Sequence, residues 1–210
     1  LLPHENIIYL ADSKNAPYGG KPKEQIIEIS VKNTEFLLKN NCKLIVVACN
    51  TASTNAVKYL REHYEVPIIR VQPAIKPAAL NSKTKVVGML ATKGTLESEL
   101  LFETAQRFAS GVKVVERVGE GLVDLIENGK MESPEMTQLL KKYVEPMLDQ
   151  NIDQLVLGCT HYPFLTEQIR EITGEGVQII DSGEAIARQT RVILEQEGLL
   201  NEDQKEGERV

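Results

Sequence analysis

Cysteine is scarce in this sequence, and long apolar runs are missing from it. Three cysteines among 210 residues form an odd and sparse set, which argues against a disulfide framework and favours a reducing cytoplasm. They contain no CxxC pair, so a structural zinc site or a thioredoxin-like redox centre is disfavoured. No apolar stretch approaches the ~20 residues of a membrane span, and residues 1–5 lack the pattern of a signal peptide. We therefore expect a cytoplasmic protein with no metal and no membrane segment.

Basic residues are also in the minority. The chain has 24 Lys and Arg against 30 Asp and Glu, a net charge of −6. This balance argues against a nucleic acid or an anionic membrane as the main partner. Apolar residues make up 42% of the chain and charged residues 26%, as in ordinary globular proteins. The length suits one large or two small domains, each with its own core.

Short β-rich runs alternate with longer segments of helical periodicity, which predicts βα units and a mostly parallel sheet. Several runs are apolar without alternation, as expected for strands that are covered on both faces. Ser133 followed by Pro134 predicts the start of a helix, and the polar residues 201–210 are expected to fray. The predicted strands are residues 7–10, 44–48, 68–71, 86–90, 112–116, 155–157 and 177–180.

A faint internal repeat is the most informative feature of the sequence. Residues 44–51 resemble residues 154–161, since each segment contains an apolar strand, a small residue, a cysteine and then polar side chains. The repeat predicts an α/β fold of two pseudo-symmetric, open, mostly parallel-sheet domains that face each other across a cleft. Residues 1–80 with about 181–210 would form the first domain, and residues 81–180 the second.

The two repeated cysteines, Cys49 and Cys159, follow predicted strands, where open parallel sheets bind their ligands. The helix N-terminus that follows each is expected to lower the thiol pKa. Two such thiols on opposite sides of a cleft can remove a proton from one face of a carbon and deliver one to the other, which inverts a stereocentre. The alternative is that each is a small buried hydrophobe, as we expect for Cys42. His161 would tune Cys159 or relay its proton.

Three motifs resemble those of the glutamate racemase family. Residues 48–53 read Ala-Cys-Asn-Thr-Ala-Ser, residues 158–163 read Gly-Cys-Thr-His-Tyr-Pro, and residues 16–19 read Ala-Pro-Tyr-Gly after Asp12. The shorter pairs at 91–92 and 181–182 also fit. The resemblance extends to about Leu200, and the two cysteine motifs together are highly specific. Either motif alone would leave the wider aspartate/glutamate racemase superfamily open.

This resemblance implies that Cys49 and Cys159 are an acid–base pair that needs neither pyridoxal phosphate nor a metal. It also implies that His161 assists Cys159 and that Glu127 lies near that side, although a solvated helix carboxylate is an equal reading of Glu127. Asp181 and Ser182 would line the cleft or form a helix cap. The substrate contacts that it implies are Pro17, Tyr18, Gly19, Asn50, Thr51, Thr160 and His161, with Thr92 as a further hydroxyl.

Two departures from the family pattern stand out. Members normally open with a strand and an Asp-Ser-Gly-x-Gly-Gly loop, whereas this sequence leads from residues 1–3 towards the predicted strand at 7–10. We expect that the first strand-loop-helix unit is lacking, and that a protein truly without it would be crippled or inactive. Gln72 also replaces the usual Glu.

Three functions stay open on the sequence. The first is a glutamate racemase that supplies D-glutamate for peptidoglycan, with glutamate as its small-molecule partner and a homodimer as the family-based expectation. The second is an aspartate racemase of the same fold. The third is a non-catalytic amino-acid-binding relative, for which fold-level analogy alone does not decide.

Overall fold

The structure is a computed structural model that describes residues 2–203 and 205–210, and Leu1 and Gln204 lie outside the described residues. Helices and strands alternate along most of the chain. In the described part, no helix is long and apolar enough to cross a membrane. In chain order the elements are α1 (Lys23–Lys39), β1 (Ile45–Val47), α2 (Asn50–His63), β2 (Ile68–Arg70), α3 (Ile75–Asn81), β3 (Val86–Ala91), α4 (Lys93–Leu96), α5 (Glu99–Phe108), β4 (Lys113–Val118), α6 (Leu122–Glu127), α7 (Pro134–Leu148), β5 (Gln154–Gly158), a 3-10 helix (Tyr162–Leu165), α8 (Thr166–Thr173), β6 (Gln178–Ile180) and α9 (Gly183–Gln196).

The chain divides into two compact units, Leu1–Val71 with Gly183–Val210 and Gln72–Ser182. The first boundary precedes α3, whereas residue 80, where the sequence predicts it, lies near the end of that helix. The reason lies in the packing of α3, since Ile75 and Ala78 share a core with strand residues of the second unit.

The second unit is built on a four-stranded parallel sheet with the strand order β4-β3-β5-β6. Val87 and Met89 of β3 face a core formed with α3 and α5, while Leu90 faces a larger core formed with α6, α7 and α8. Because side chains alternate across a strand, helices cover both faces of this sheet. Strands with such double cover are apolar throughout, as the sequence predicted.

The first unit contains a two-stranded parallel sheet in which Ile45 of β1 pairs with Ile68 of β2. Helices α1 and α2 pack against this sheet, with Ile26 and Leu60 among the residues of the shared core. The core therefore fixes both the end of β1 and the start of α2, and Cys49 lies between them.

The prediction of a strand at residues 7–10 is wrong. Within the described residues this segment forms only an isolated parallel bridge, between Ile7 and Arg209. The Val210 N–H donates to the Ile7 carbonyl at 2.9 Å, so the chain end lies along this segment. For residues 201–203 and 205–210, the expectation of a frayed tail is wrong for the same reason. A β-rich run becomes a strand only when a neighbour extends a ladder along it, and here the pairing stops after one bridge.

The Asp153 carboxylate binds the segment between α3 and β3. Asp153 accepts hydrogen bonds from the Ser82 hydroxyl at 2.7 Å and from the Lys83 and Thr84 N–H groups at 2.5 and 3.1 Å. Burial raises the pKa of Asp153, but these hydrogen bonds outweigh it and hold the pKa below its usual value. The folded state thus favours the ionised form.

We expect Asp153→Asn to lower the free energy of unfolding at pH 7 by about 1–2 kcal/mol, the value of charged hydrogen bonds after solvent screening. The native pKa is depressed, so this stability is present above the unfolded pKa of about 3.9 and is lost as pH falls through the native value. Urea unfolding at several pH values measures it. Asp149→Asn, at the exposed end of α7, is the control, and a constant difference between Asp153→Asn and wild type down to pH 3 would contradict the account.

Candidate active site

Cys49 occupies the N-cap position of α2, two residues beyond the end of β1. Its backbone is extended, with φ −148° and ψ 125°, and its Sγ accepts a hydrogen bond from the Ala52 N–H at 3.5 Å. A helix start normally takes this bond from a Ser, Thr, Asp or Asn oxygen. Here a sulfur takes it, which holds the thiol over the N-terminus of α2.

The pKa of the Cys49 thiol is raised rather than lowered. Burial raises it, and this effect exceeds the lowering by hydrogen bonds from Ala52 and Thr51. The sequence-based expectation that the helix N-terminus would lower the pKa is therefore wrong for Cys49. The cause is the desolvation of the thiolate, which destabilises it more than the N–H groups at the helix start stabilise it. Cys49 rests as a thiol and is suited to donate a proton.

The polar residues after Cys49 are buried and have different roles. Asn50, Thr51 and Ser53 are each 2% exposed. The Ser53 hydroxyl donates to the Val47 carbonyl at 2.8 Å and accepts from the Val71 N–H at 2.9 Å, which ties together the ends of β1 and β2. Asn50 Oδ1 is buried and has no hydrogen-bond partner among the described residues. Ser53 is thus structural, while Asn50 retains an acceptor for a ligand.

The predicted substrate loop, Pro17, Tyr18 and Gly19, precedes α1, and the Ala16–Pro17 peptide bond is cis. Tyr18 is half-buried and packs against the same hydrophobic core as Cys49. The Tyr18 hydroxyl is also bonded to two residues outside the predicted site, Asp12 at 2.5 Å and Asn33 at 3.3 Å. Asn33 had no sequence signal, because it lies on α1 and is 15 positions from Tyr18.

Cys159 lies directly beyond β5 in the second unit and is buried. Its Sγ is 3.8 Å from His161 Nδ1, and His161 Nε2 is 2.5 Å from Glu127 Oε1. Glu127 is the last residue of α6. The structure therefore joins three predicted residues into a thiol–imidazole–carboxylate chain, in which the carboxylate orients the imidazole beside the thiol.

Thr92 reaches the same edge of the sheet as Cys159. Ala91 pairs with Gly158 across β3 and β5, so the residues that follow leave neighbouring parallel strands side by side. The Thr92 hydroxyl lies 3.0 Å from that of Thr95. Thr160 is exposed next to Cys159.

Asp181 and Ser182 follow β6, which pairs with β5. Asp181 is exposed and Ser182 is buried. Both directly precede α9, the position that the cap interpretation requires.

The predicted residues thus form two sets, one in each unit. Each set contains a thiol at the carboxyl end of a parallel strand with polar side chains beside it, which is suited to proton transfer. In residues 2–203 and 205–210, no group of three or more His, Cys, Asp and Glu side chains is able to hold a metal. Nothing in the structure explains Gln72. The first set is Pro17, Tyr18, Gly19, Cys49, Asn50 and Thr51, and the second is Thr92, Glu127, Cys159, Thr160 and His161.

Sequence comparison relates the chain to racemases of amino acids. A profile of the Asp/Glu/hydantoin racemase family matches residues 2–190. The chain is 46% identical to a glutamate racemase of Herpetosiphon aurantiacus, with 99% of this chain and 82% of the relative covered. It is 48% identical to a glutamate racemase of Ralstonia pickettii, with 94% and 70% covered.

Solved structures agree with these relatives. A glutamate racemase isoform of Bacillus anthracis matches with a TM-score of 0.86 and 32% identity, over 96% of this chain and 76% of that one. Escherichia coli glutamate racemase, in complex with L-glutamate and the activator UDP-MurNAc-Ala, matches with a TM-score of 0.84 and 37% identity, over 92% and 74%. An aspartate racemase homologue of Pyrococcus horikoshii, at 19% identity and a TM-score of 0.53, shares the fold alone. This chain therefore belongs to the Asp/Glu/hydantoin racemase family and, within it, to the glutamate racemases.

Proposed function

We propose that this protein interconverts L- and D-glutamate without a cofactor, with Cys49 and Cys159 as its two acid–base groups. The observation that carries the proposal is the presence, in each unit, of one thiol beyond the carboxyl end of a parallel strand. The close relatives named glutamate racemase support the substrate. The two-cysteine mechanism rests on the chemistry of the residues.

Proton transfer proceeds in two balanced steps. The thiolate of one cysteine takes the α-hydrogen of glutamate as a proton, and the electron pair of the broken C–H bond stays on the α-carbon next to the carboxylate. The thiol of the other cysteine then donates its proton to the opposite face of that carbon. The enzyme ends with the protonation states of the pair exchanged, and the reverse reaction restores them.

The surroundings of the two cysteines favour one as the initial proton donor and the other as the initial proton acceptor. Burial raises the pKa of the Cys49 thiol, which favours its protonated form. Cys159 has His161 at 3.8 Å and, through it, Glu127, and an imidazole oriented beside a thiol is placed to accept the thiol proton. We infer that Cys159 removes the first proton and Cys49 delivers the second for one enantiomer, and that the order is reversed for the other.

Fixed polar groups at the first thiol suit the charged parts of glutamate. The unpartnered Asn50 Oδ1 is an acceptor for the substrate ammonium, and N–H groups in the first turn of α2 attract a carboxylate. Loop residues 17–19 and the Thr51, Thr92 and Thr160 hydroxyls are the further contacts that we propose.

Incubation of the full-length protein with L-glutamate in D₂O, without added cofactor, tests the proposal. Proton NMR follows the α-hydrogen and circular dichroism follows the optical signal. Loss of both signals, with D-glutamate formed, is the expected result. Binding of glutamate without exchange would support a non-catalytic relative, and faster turnover of D-aspartate than of D-glutamate would support an aspartate racemase.

The Glu127–His161 pair yields a prediction of its own. We expect His161→Asn to lower kcat by about 10²-fold, the lower range for a positioned proton-transfer group. Glu127→Gln should lower kcat by about 10-fold, because a weakly oriented imidazole remains. Steady-state kinetics in both directions measure the effects. His63→Asn is the control, since His63 binds the Tyr59 carbonyl on the exposed face of α2, and wild-type activity in His161→Asn would remove the imidazole from the mechanism.

The cellular role follows from the same proposal. D-Glutamate from such an enzyme would enter peptidoglycan, and we place the enzyme in the cytoplasm, where its thiols stay reduced. Cys42, Cys49 and Cys159 are not joined in disulfides. A homodimer stays a prediction.

A further inference from the structure

We propose that Asp12 is a positioning residue that, together with Asn33, holds the Tyr18 hydroxyl in place by hydrogen bonds. The hydroxyl then has a structural role and does not bind the substrate. The inference rests on the proposed function, because it concerns the loop beside Cys49. It assigns the substrate contacts of Tyr18 to its backbone and its ring.

The carboxylate of Asp12 is surrounded by three side-chain donors. The Tyr18 hydroxyl donates to Oδ2 at 2.5 Å. The Asn15 amide donates to Oδ1 at 2.7 Å and to Oδ2 at 3.0 Å, and the Asn33 amide donates to Oδ2 at 3.2 Å. Asn33 also donates to the Tyr18 hydroxyl oxygen at 3.3 Å. The three side chains and the carboxylate form one closed network.

The network leaves the Tyr18 hydroxyl without a proton for the substrate. Its single proton points to Asp12, and one of its lone pairs faces Asn33. Burial, the hydrogen bond to Asp12 and the negative charge of Asp12 all raise the pKa of Tyr18. The phenol therefore keeps its proton over the range in which the enzyme works, and it does not act as an acid or a base.

Asp12 is ionised in this setting. Burial raises its pKa, but hydrogen bonds from Tyr18, Asn33 and Asn15 outweigh the burial and lower it. An ionised carboxylate holds its three donor side chains firmly, since charge-assisted hydrogen bonds are about twice as strong as neutral ones.

The network connects the loop to a rigid element. Asn33 lies in α1, whose Ile26, Ile29 and Thr34 are buried. The Tyr18 ring packs with Cys49 against the core that α1 and α2 share. Asp12 and Asn33 thus attach the loop to α1, and the backbone of residues 17–19 is held relative to the thiol.

The test is a double-mutant cycle of Asp12→Asn and Tyr18→Phe. Asp12→Asn replaces an acceptor by an amide donor that faces the Asn15 and Asn33 donors, and it should raise KM for glutamate about 10-fold, as expected for the loss of a charged hydrogen bond. Tyr18→Phe should raise KM about threefold, a smaller effect, because Asp12 keeps its hydrogen bonds from Asn15 and Asn33 when the hydroxyl is lost. In both variants kcat should change less than about twofold, because binding of the substrate and of the transition state is weakened equally.

The combined variant distinguishes this structural role from two separate contacts. If Tyr18 acts through Asp12, the double variant should have the KM of Asp12→Asn alone. The alkaline limb of the pH profile of kcat/KM should be unchanged in Tyr18→Phe, because the phenol does not titrate there. Lys14→Ala, an exposed residue of the same loop, is the control and should match wild type.

Two failures are distinguishable. If the wild-type protein does not exchange the α-hydrogen of glutamate, the proposed function fails and the inference fails with it. If the wild type is active but the two KM effects multiply, or Tyr18→Phe lowers kcat or shifts the alkaline limb, only the inference is overturned.

Discussion

Replacing Cys49 or Cys159 with serine should lower the rate of glutamate racemisation by about 10³-fold or more, in the upper range for a positioned acid or base. A free thiol has a pKa near ~8.5, whereas a serine hydroxyl is a far weaker acid and forms almost no alkoxide at neutral pH. Inversion needs both groups, so loss of either one stops it.

Each variant should keep half of the chemistry. In Cys49→Ser, Cys159 is still able to take the α-hydrogen of one enantiomer and to return a solvent proton to the same face. That enantiomer would exchange its α-hydrogen in D₂O without inversion, while the other would be inert. Cys159→Ser should exchange the opposite enantiomer.

Proton NMR in D₂O with L- and D-glutamate measured separately resolves the two patterns. Cys42→Ser is the matched control, since Cys42 is a third free thiol outside both sets of site residues, and it should retain wild-type activity. Exchange of the same enantiomer in both serine variants would show that the cysteines do not serve opposite faces.

The motif-level features of the site were predictable because they are local. Cys49 and Cys159 follow strands that are close to the predicted ones, since a buried parallel strand leaves an apolar run in the sequence. The Ser133 cap is confirmed as well, because its hydroxyl accepts from the Met136 N–H at 3.2 Å, within one turn of the chain. Strand, cysteine and cap are therefore readable from a few consecutive residues.

The remaining features depend on distant neighbours. Asn33 reaches Asp12 across 21 positions, and no pattern of residues links them. The prediction of a strand at 7–10 was wrong because strand formation there depends on pairing with residues near 209, and not on the apolar run itself. The predicted direction of the Cys49 pKa shift was also wrong, because the shift depends on burial, and burial depends on the packing of the core. The chemistry of each side chain was therefore predictable from the sequence, but the residues that surround it in the fold were not.

The loop after Cys159 rests on a buried aromatic ring. Tyr162 is 0% exposed, and its hydroxyl donates to the Gly119 carbonyl at 3.1 Å. Gly119 allows this approach, since a Cβ there would overlap the Tyr162 hydroxyl. Burial, followed by the charges of Cys159 and Tyr143, raises the pKa of Tyr162 well above its usual value, so the phenol keeps its donor proton. Tyr162 directly follows His161 in the chain, so its buried ring anchors the backbone beside the imidazole.

Tyr162→Ala should lower the free energy of unfolding by about 3–5 kcal/mol, as found for large aromatic side chains in cores. The cavity removes contacts within the core around Leu122 and Met136, and the Gly119 carbonyl loses its partner. Phe164→Ala, in the same 3-10 helix but with a side chain 70% exposed, is the control and should change stability by less than about 0.5 kcal/mol.

Urea unfolding followed by circular dichroism measures both, and Tyr162→Phe separates the ring from its hydroxyl at an expected cost of about 1 kcal/mol. Because Tyr162 anchors the backbone next to His161, Tyr162→Ala should also lower kcat in the fraction that stays folded. Equal stability of Tyr162→Ala and Phe164→Ala would show that the loop carrying Cys159 does not depend on this ring.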